Sequence, residues 1–382
     1  MTSAAHRTVL MAHPGAELYG SDRVLLESVS ALVADGWRVV VAVPVSGPLL
    51  AALVARGAEV VLCPTPVLRK SALRPRGMLR LFAAIVAGWG AGWRLLSLER
   101  PVALYVNTMT IPLWQLLGRV RRVPVLSHVH EGEASASQLV RSLLALPLFL
   151  STEIIANSEF SRGVLSTSFS RLGRRTRVVY NGVAGPPESR IARARLHPPV
   201  KVTYIGRLSP RKGVDVAIDA IALLSARGVD ATLDLLGGVF PGYEWYEAQL
   251  REQVKCTQLD GRVMFHGFIP SIWEVVDAGD LVIVPSRADE PFGDTAVEAI
   301  LSGRPVIASA TSGLLEATAG YKTARTVTPG DAAALANGLQ AAIDHWGLSR
   351  AATVTDIETA RRRHGPEVYR KTIASIVRSL AK

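Results

Sequence analysis

The chain has 382 residues, 49% of them hydrophobic, with 43 Lys/Arg against 32 Asp/Glu and a net charge of +11. That length exceeds one ordinary domain and fits two of about 150–200 residues each, while the apolar content excludes a disordered chain. Two widely separated cysteines, Cys63 and Cys256, exclude a disulfide framework and lack metal-ligand spacing, so a reducing compartment is expected.

In chain order, MTSAAHRTVLMAHPG holds a short strand-like run before Pro14 and no signal-peptide core, which predicts a cytoplasmic protein. Strand-like runs follow at TVLMAH (8–13), RVVVAVP (38–44), EVVLCP (59–64), ALYVNT (103–108), PVLSHVH (124–130), EIIANS (153–158) and RVVYNG (177–182). Amphipathic stretches such as DRVLLESVSALVADG separate them. A proline-rich polar segment, 184–199, reads as a linker. The alternation then restarts with VKVTYIGR (200–207), ATLDLLGG (231–238), RVMFHG (262–267), LVIVPS (281–286), RPVIAS (304–309) and ARTVTP (324–329), and residues 366–382 read as a final helix. Val/Ile-rich runs alternating with helices predict parallel βαβ units, so the fold class is α/β with two doubly wound domains and a cleft between them. Ligands of such sheets bind beyond the carboxyl ends of the strands.

The charge-free runs LFAAIVAGWGAGW and SLLALPLFLST fall short of the roughly 20 residues that span a bilayer, and read as core helices. Charge is uneven: residues 1–188 carry 20 Lys/Arg and 11 Asp/Glu, net +9, against 23 and 21, net +2, in the remainder. A basic cluster, Arg69, Lys70, Arg74, Arg76 and Arg80, precedes a stretch with Trp89 and Trp93. It suits either a solvated face or an anionic membrane surface. Nucleic acid is not an expected partner, because no groove-reading or base-stacking motif accompanies the charge.

Two segments carry chemistry. EPFGDTAVE places Glu290 on a strand-to-helix loop with Pro291 and Gly293, and Glu298 about two turns into the helix or its entry. Helix N-terminal amides suit phosphate or sugar oxygens, and a carboxylate accepts from vicinal hydroxyls, as a nucleotide-sugar site requires. GRLSPRKG ends the first strand of the second half: Gly206 permits a tight turn, and Arg207 and Lys212 form a pyrophosphate clamp that would stabilise a leaving nucleoside diphosphate. Elsewhere blander readings hold. His13 is as readily a turn residue as a ligand, His266 supplies loop shape, Asn181 forms an Asn-Gly turn, and Trp89, Trp93 and Trp114 belong to core or interface.

With these two segments, HGFIP, SGLLEA, ELYGSDRVLLE, PVLSHVHE, IIANSEFSRG and VVYNGV in order, nearly the whole chain resembles the retaining glycosyltransferases of the GT-B fold, family 4. The resemblance implies two Rossmann-like domains facing a central cleft. Residues 1–188 would be the acceptor side, 189–365 the donor side, and 366–382 a helix that can cross back to the first domain. It implies that Arg207 and Lys212 hold the donor diphosphate, that Glu290 contacts the sugar hydroxyls and that Glu298 holds the ribose. Gly206 and the backbone around Phe292, Gly293 and Asp294 would meet sugar and phosphate. The histidine near the transferred sugar aligns as His130, with His128 next. Gly20 and Ser21 border the acceptor, in a loop that reads Tyr19-Gly20-Ser21-Asp22 where the family often has two adjacent glycines.

The implied reaction moves a hexosyl group from a nucleoside-diphosphate sugar to a glycan or lipid-linked acceptor with retention, in cell-envelope or polysaccharide biosynthesis. No cofactor or metal is expected, since no DxD-type acid pair sits in a suitable strand-end loop and the clamp supplies the positive charge. The enzyme would be cytoplasmic, at or near the inner face of the plasma membrane. Rivals on the same fold are a nucleotide-sugar epimerase, a sugar phosphorylase, or a membrane- or nucleic-acid-surface protein with a degenerate donor site. Intact Arg207, Lys212, Glu290 and Glu298 weigh against degeneracy.

Overall fold

The computed structural model describes residues 7–18, 20–68, 75–132, 134, 137–240 and 242–382, with the backbone alone over 75–82. Arg69, Lys70 and Arg74 of the basic cluster therefore lie outside the described residues, as do Tyr19 and the side chains of Arg76 and Arg80. The chain divides into one unit of residues 1–182 with 366–382 and a second of residues 183–365.

In the first unit the apolar runs become β1 (Thr8–Ala12), β2 (Arg38–Val43), β3 (Glu59–Leu62), β4 (Ala103–Val106), β5 (Val125–Val129), β6 (Glu153–Ala156) and β7 (Thr176–Val178). They form one sheet in the order β3-β2-β1-β4-β5-β6-β7, every pairing parallel. The central strands are buried along their whole length, as a parallel sheet covered on both faces requires. The last helix, Pro366–Leu380, belongs to this unit: Tyr369, Ile373, Ile376 and Val377 join the core formed by β1, β2 and the helix Gly20–Ala34.

The helix Pro75–Glu99 holds the first charge-free run, and only one stripe of it is core. Gly88, Gly92, Leu95 and Leu96 are buried, whereas Ile85, Val86, Trp93 and Leu98 face outward. No helix among the described residues is long and apolar enough to cross a membrane.

The second unit repeats the plan with β8 (Val200–Ile205), β9 (Ala231–Leu236), β10 (Val263–Gly267), β11 (Leu281–Val284), β12 (Val306–Ser309) and β13 (Ala324–Val327), in the parallel order β10-β9-β8-β11-β12-β13. In each sheet the strand order reverses beside the first strand, between β1 and β4 and between β8 and β11. Those two switch points are where an open α/β sheet offers a ligand crevice.

The segment expected as a linker is instead part of the second unit. Ala192 is buried, the Arg193 guanidinium forks the Asp280 carboxylate at 2.7 and 2.6 Å, and Ser189 donates to the Leu301 carbonyl at 2.7 Å. Arg304 is the pin beneath it. Its guanidinium, 2% exposed, donates to the carbonyls of Val276, Asp277, Gly279, Ser302 and Arg190. Composition marked 184–199 as polar; the Asp280 carboxylate just before β11, the Leu301 carbonyl and the Arg304 guanidinium just before β12 are what hold it. Replacing Arg304 with Met leaves these buried carbonyls without their donor. It should lower the stability of this unit by at least about 3 kcal/mol, read as a fall in the urea midpoint, with Arg304→Lys recovering part of the loss.

Candidate active site

At the switch point of the second unit, the loops after β8 and β11 meet. Lys212 Nζ lies 2.7 Å from Glu290 Oε1, Ser286 donates to the same oxygen at 2.7 Å, and Arg211 Nη2 stands 3.5 Å from Oε2. Arg211 also donates to the Asp289 carbonyl at 2.6 Å, and the Asp289 carboxylate accepts from Ser312 at 2.6 Å. The Arg207 guanidinium lies over Phe240, 5.7 Å from the ring centre, and the Arg207 carbonyl accepts from the Tyr204 hydroxyl at 2.8 Å. Arg211, one residue before Lys212, shares Glu290 with it.

Backbone geometry sets this up. Pro210–Lys212 is a single 3₁₀ turn closed by Gly213 at φ +67°, a left-handed conformation that suits glycine. A Cβ on Gly213 would lie 2.0 Å from the Pro285 carbonyl oxygen, so that loop and the end of β11 touch backbone to backbone. The EPFG loop rests on a second such contact, since a Cβ on Gly313 would lie 2.3 Å from the Glu290 carbonyl oxygen. Phe292 is buried against His364, and Gly293 caps the helix Asp294–Leu301. Glu298 is the fifth residue of that helix and buried, hence just over one turn in and not two. Gly206 ends the bend after β8, and His266 pairs with Asp234 at 2.6 Å on the neighbouring β9 and β10.

In the first unit, three strand ends converge. His130 follows β5, and its Nε2 is 2.9 Å from Asn107 Oδ1 at the end of β4. Asn107 Nδ2 is 3.0 Å from His13 Nδ1 at the end of β1, and His13 Nε2 is 2.6 Å from Asp22 Oδ1 on the helix Gly20–Ala34. Gly20 opens that helix, and the Ser21 carbonyl accepts from Asn107 at 3.4 Å. His128, whose ring neighbours that of His130, lies deeper. It is fully buried, 2.7 Å from the Tyr105 hydroxyl, which with Ser28 and Tyr369 forms an internal polar network. Burial, and then the neighbouring His130, push its pKa well below the ordinary histidine value. Of the two histidines, His130 is the one just past the carboxyl end of the strand, and it is only half-buried.

Sequence reasoning missed Arg211 and Asn107 and left His13 open between a turn residue and a ligand. Arg211 was legible only as one of three cations in a turn. The other two come together because β1 and β4, distant in sequence, are neighbours in the sheet.

Glu290 is 7% exposed, and burial alone would raise its pKa; the charges of Lys212 and Arg211 more than offset that and hold it below its ordinary 4.5. Because the folded value is the lower one, Glu290 stabilises the fold above the unfolded value. That contribution is lost as pH falls through the folded one. Urea midpoints followed from neutrality to about pH 3 should drop on the acid side, and Glu290→Gln should flatten part of that drop. An unchanged acid-side slope would show that this carboxylate is not linked to folding.

Two family models match consecutive stretches of the chain: Glycosyltransferase Family 4 over residues 19–184 and Glycosyl transferases group 1 over residues 187–355. Among curated relatives, the mannosylfructose-phosphate synthase of Agrobacterium fabrum is 36% identical over 124 residues, 30% of this chain and 26% of that protein. The GDP-mannose-dependent alpha-(1-6)-phosphatidylinositol dimannoside mannosyltransferase of Mycobacterium tuberculosis is 30% identical over 245 residues, 59% of this chain and 62% of that protein. The chain thus spans less than two thirds of the length of either relative. Anabaena HepE, solved with UDP and glucose, superposes with a TM-score of 0.81 at 23% identity, over 98% of this chain and 100% of that one. That likeness gives the fold, GT-B. A Family 4 domain followed by a group 1 domain on that fold makes the chain a member of the glycosyltransferases.

Proposed function

We propose that the chain transfers a hexosyl group from a nucleoside-diphosphate sugar to a glycan or lipid-linked acceptor, with retention at the anomeric carbon. The observation that carries this reading is Glu290 with Lys212, Arg211 and Ser286 at the switch point between β8 and β11. A buried carboxylate held ionised by adjacent cations presents hydroxyl acceptors beside phosphate donors, the two needs of a sugar diphosphate.

In this reading Arg207 and Lys212 stabilise the departing diphosphate, Glu290 binds the sugar hydroxyls and Glu298 binds the ribose. Gly206, Phe292, Gly293 and Asp294 line the donor with backbone, Gly20 and Ser21 border the acceptor, and His130 faces the transferred sugar. The cations supply the leaving-group stabilisation, so no metal or cofactor is assigned a step. The UDP and glucose bound by HepE, and the GDP-mannose dependence of the mycobacterial enzyme, support a nucleotide-sugar donor.

A panel of nucleotide sugars, assayed for hydrolysis and transfer, tests the class; no turnover of any member would overturn it. With the working donor, Arg207→Ala or Lys212→Ala should lower turnover by about 10²-fold or more, whereas Glu298→Ala should mainly weaken binding of the free nucleoside diphosphate and Glu290→Ala should spare that binding and impair transfer. Near wild-type transfer by both cation variants, or the reverse calorimetric pattern for the glutamates, would displace these roles.

We further propose a peripheral enzyme on the cytoplasmic face that meets an amphiphilic acceptor. The first 188 residues carry +9 of the charge. The helix Leu113–Arg121 presents Leu116, 41% exposed, and Val120, 49% exposed, beside Arg119, Arg121 and Arg122. Cations flanking exposed apolar groups favour anionic lipid by about 1 kcal/mol each. The protein should sediment with anionic vesicles at low salt and be released at high salt. Equal recovery in the supernatant with anionic and neutral vesicles would leave a soluble acceptor.

A further inference from the structure

The contacts among Asp22, His13, Asn107 and His130 run in one direction only. An ionised carboxylate accepts and cannot donate, so His13 must present Nε2–H to Asp22 at 2.6 Å. Its Nδ1 then carries the lone pair and accepts from the Asn107 amide NH₂ at 3.0 Å. With its nitrogen so committed, and its second N–H directed at the Ser21 carbonyl at 3.4 Å, Asn107 turns its oxygen to His130, which must donate Nε2–H at 2.9 Å. Each link dictates the next. The proton of His130 is fixed on Nε2 by a charge three residues away along the chain of bonds, and Nδ1 is left as the basic nitrogen.

We propose that Asp22, His13 and Asn107 are positioning residues that hold His130 as the neutral Nε2–H tautomer, so that it meets a substrate hydroxyl through Nδ1 as a hydrogen-bond acceptor. The relay crosses the ends of β1, β4 and β5 at the switch point of the first sheet, within one unit, and needs no group from elsewhere. The other ionisable neighbours agree with a neutral ring. The His128 ring lies 3.8 Å from that of His130, so a proton on either disfavours one on the other. Glu131 is turned away, its carboxylate accepting from the Thr108 hydroxyl and from the backbone amides of Met109 and His130. Burial, then His13, push the His130 pKa down to about 3 against the opposing pull of Asp22. A neutral acceptor selects a hydroxyl over an anionic group such as a uronate carboxylate, whose lone pairs would face that of Nδ1.

The consequence for turnover rests on the placement of His130 beside the sugar proposed above; the tautomer does not. The full chain, labelled with nitrogen-15 at its imidazoles, reports the tautomer by long-range proton–nitrogen spectra, with His130→Gln identifying its resonances. Wild type should show a single Nε2–H form of His130. Asp22→Asn removes the acceptor-only end and Asn107→Leu cuts the chain, and each should give a mixture of the two tautomers. Asn107→Asp supplies a carboxylate that both histidines must donate to, so His130 should stay Nε2–H. A merely structural role would not separate that variant from the other two. The proposal is overturned if wild type shows Nδ1–H or a mixture, or if Asp22→Asn and Asn107→Leu keep the wild-type form. Transfer by Asp22→Asn should fall about fivefold, the equivalent of one ~1 kcal/mol hydrogen bond. An altered tautomer with unaltered transfer upholds the relay and removes His130 from the substrate.

Discussion

The Lys212–Glu290 ion pair joins loops that leave neighbouring strands yet lie 78 residues apart in sequence. A carboxylate taken this far out of water would protonate or swing outward if it were alone. Two cations and a serine hydroxyl keep it charged and aimed, and the cations are held at that end by the same arrangement. Breaking one side of such a pair leaves an uncompensated charge, which costs far more than the pair contributes as a unit. The loop after β8 and the loop after β11 therefore have one joint geometry.

Side chains alone do not fix that geometry. Gly213 and Gly313 each bring a backbone within the space a methyl group would need, the first against Pro285 and the second against Glu290. Ser312 and Asp289 add a polar tie at the same place. The site is consequently built on main chain packed against main chain. Such support is stiffer than loops resting on flexible side chains, and it suits chemistry that depends on placing charge before the reaction begins.

Much of this could be read from sequence because the signals were local. Strands such as β2 and β11 are uninterrupted Val-rich runs followed by a turn, which bury as central parallel strands. The two segments proposed to hold the donor sit at strand ends, where topology makes loops functional. What escaped was decided by non-local geometry. That Arg211 shares Glu290 with Lys212 depends on the phase of a single 3₁₀ turn, which composition does not encode. His13 and Asn107 meet only because β4 inserts beside β1. The segment 184–199 looked like a tether because its own residues are polar and proline-rich; its anchors, Asp280 and Arg304, lie some ninety residues or more downstream.

The return of the last helix to the first unit makes that unit discontinuous, and this bears on how the protein is made. Tyr369, Ile373, Ile376 and Val377 complete a core whose other members emerge from the ribosome first. The second unit, Val183–Gly365, is continuous and can close as soon as it is synthesised. At roughly 5–20 residues per second, the first unit waits about ten to forty seconds with an open apolar face for its final piece. Folding order is thereby the reverse of chain order: the half translated first is finished last. During that interval the Ser28 and Tyr105 hydroxyls, later sealed by Tyr369, are open to water, and the nascent unit is at its most exposed to chaperones and proteases.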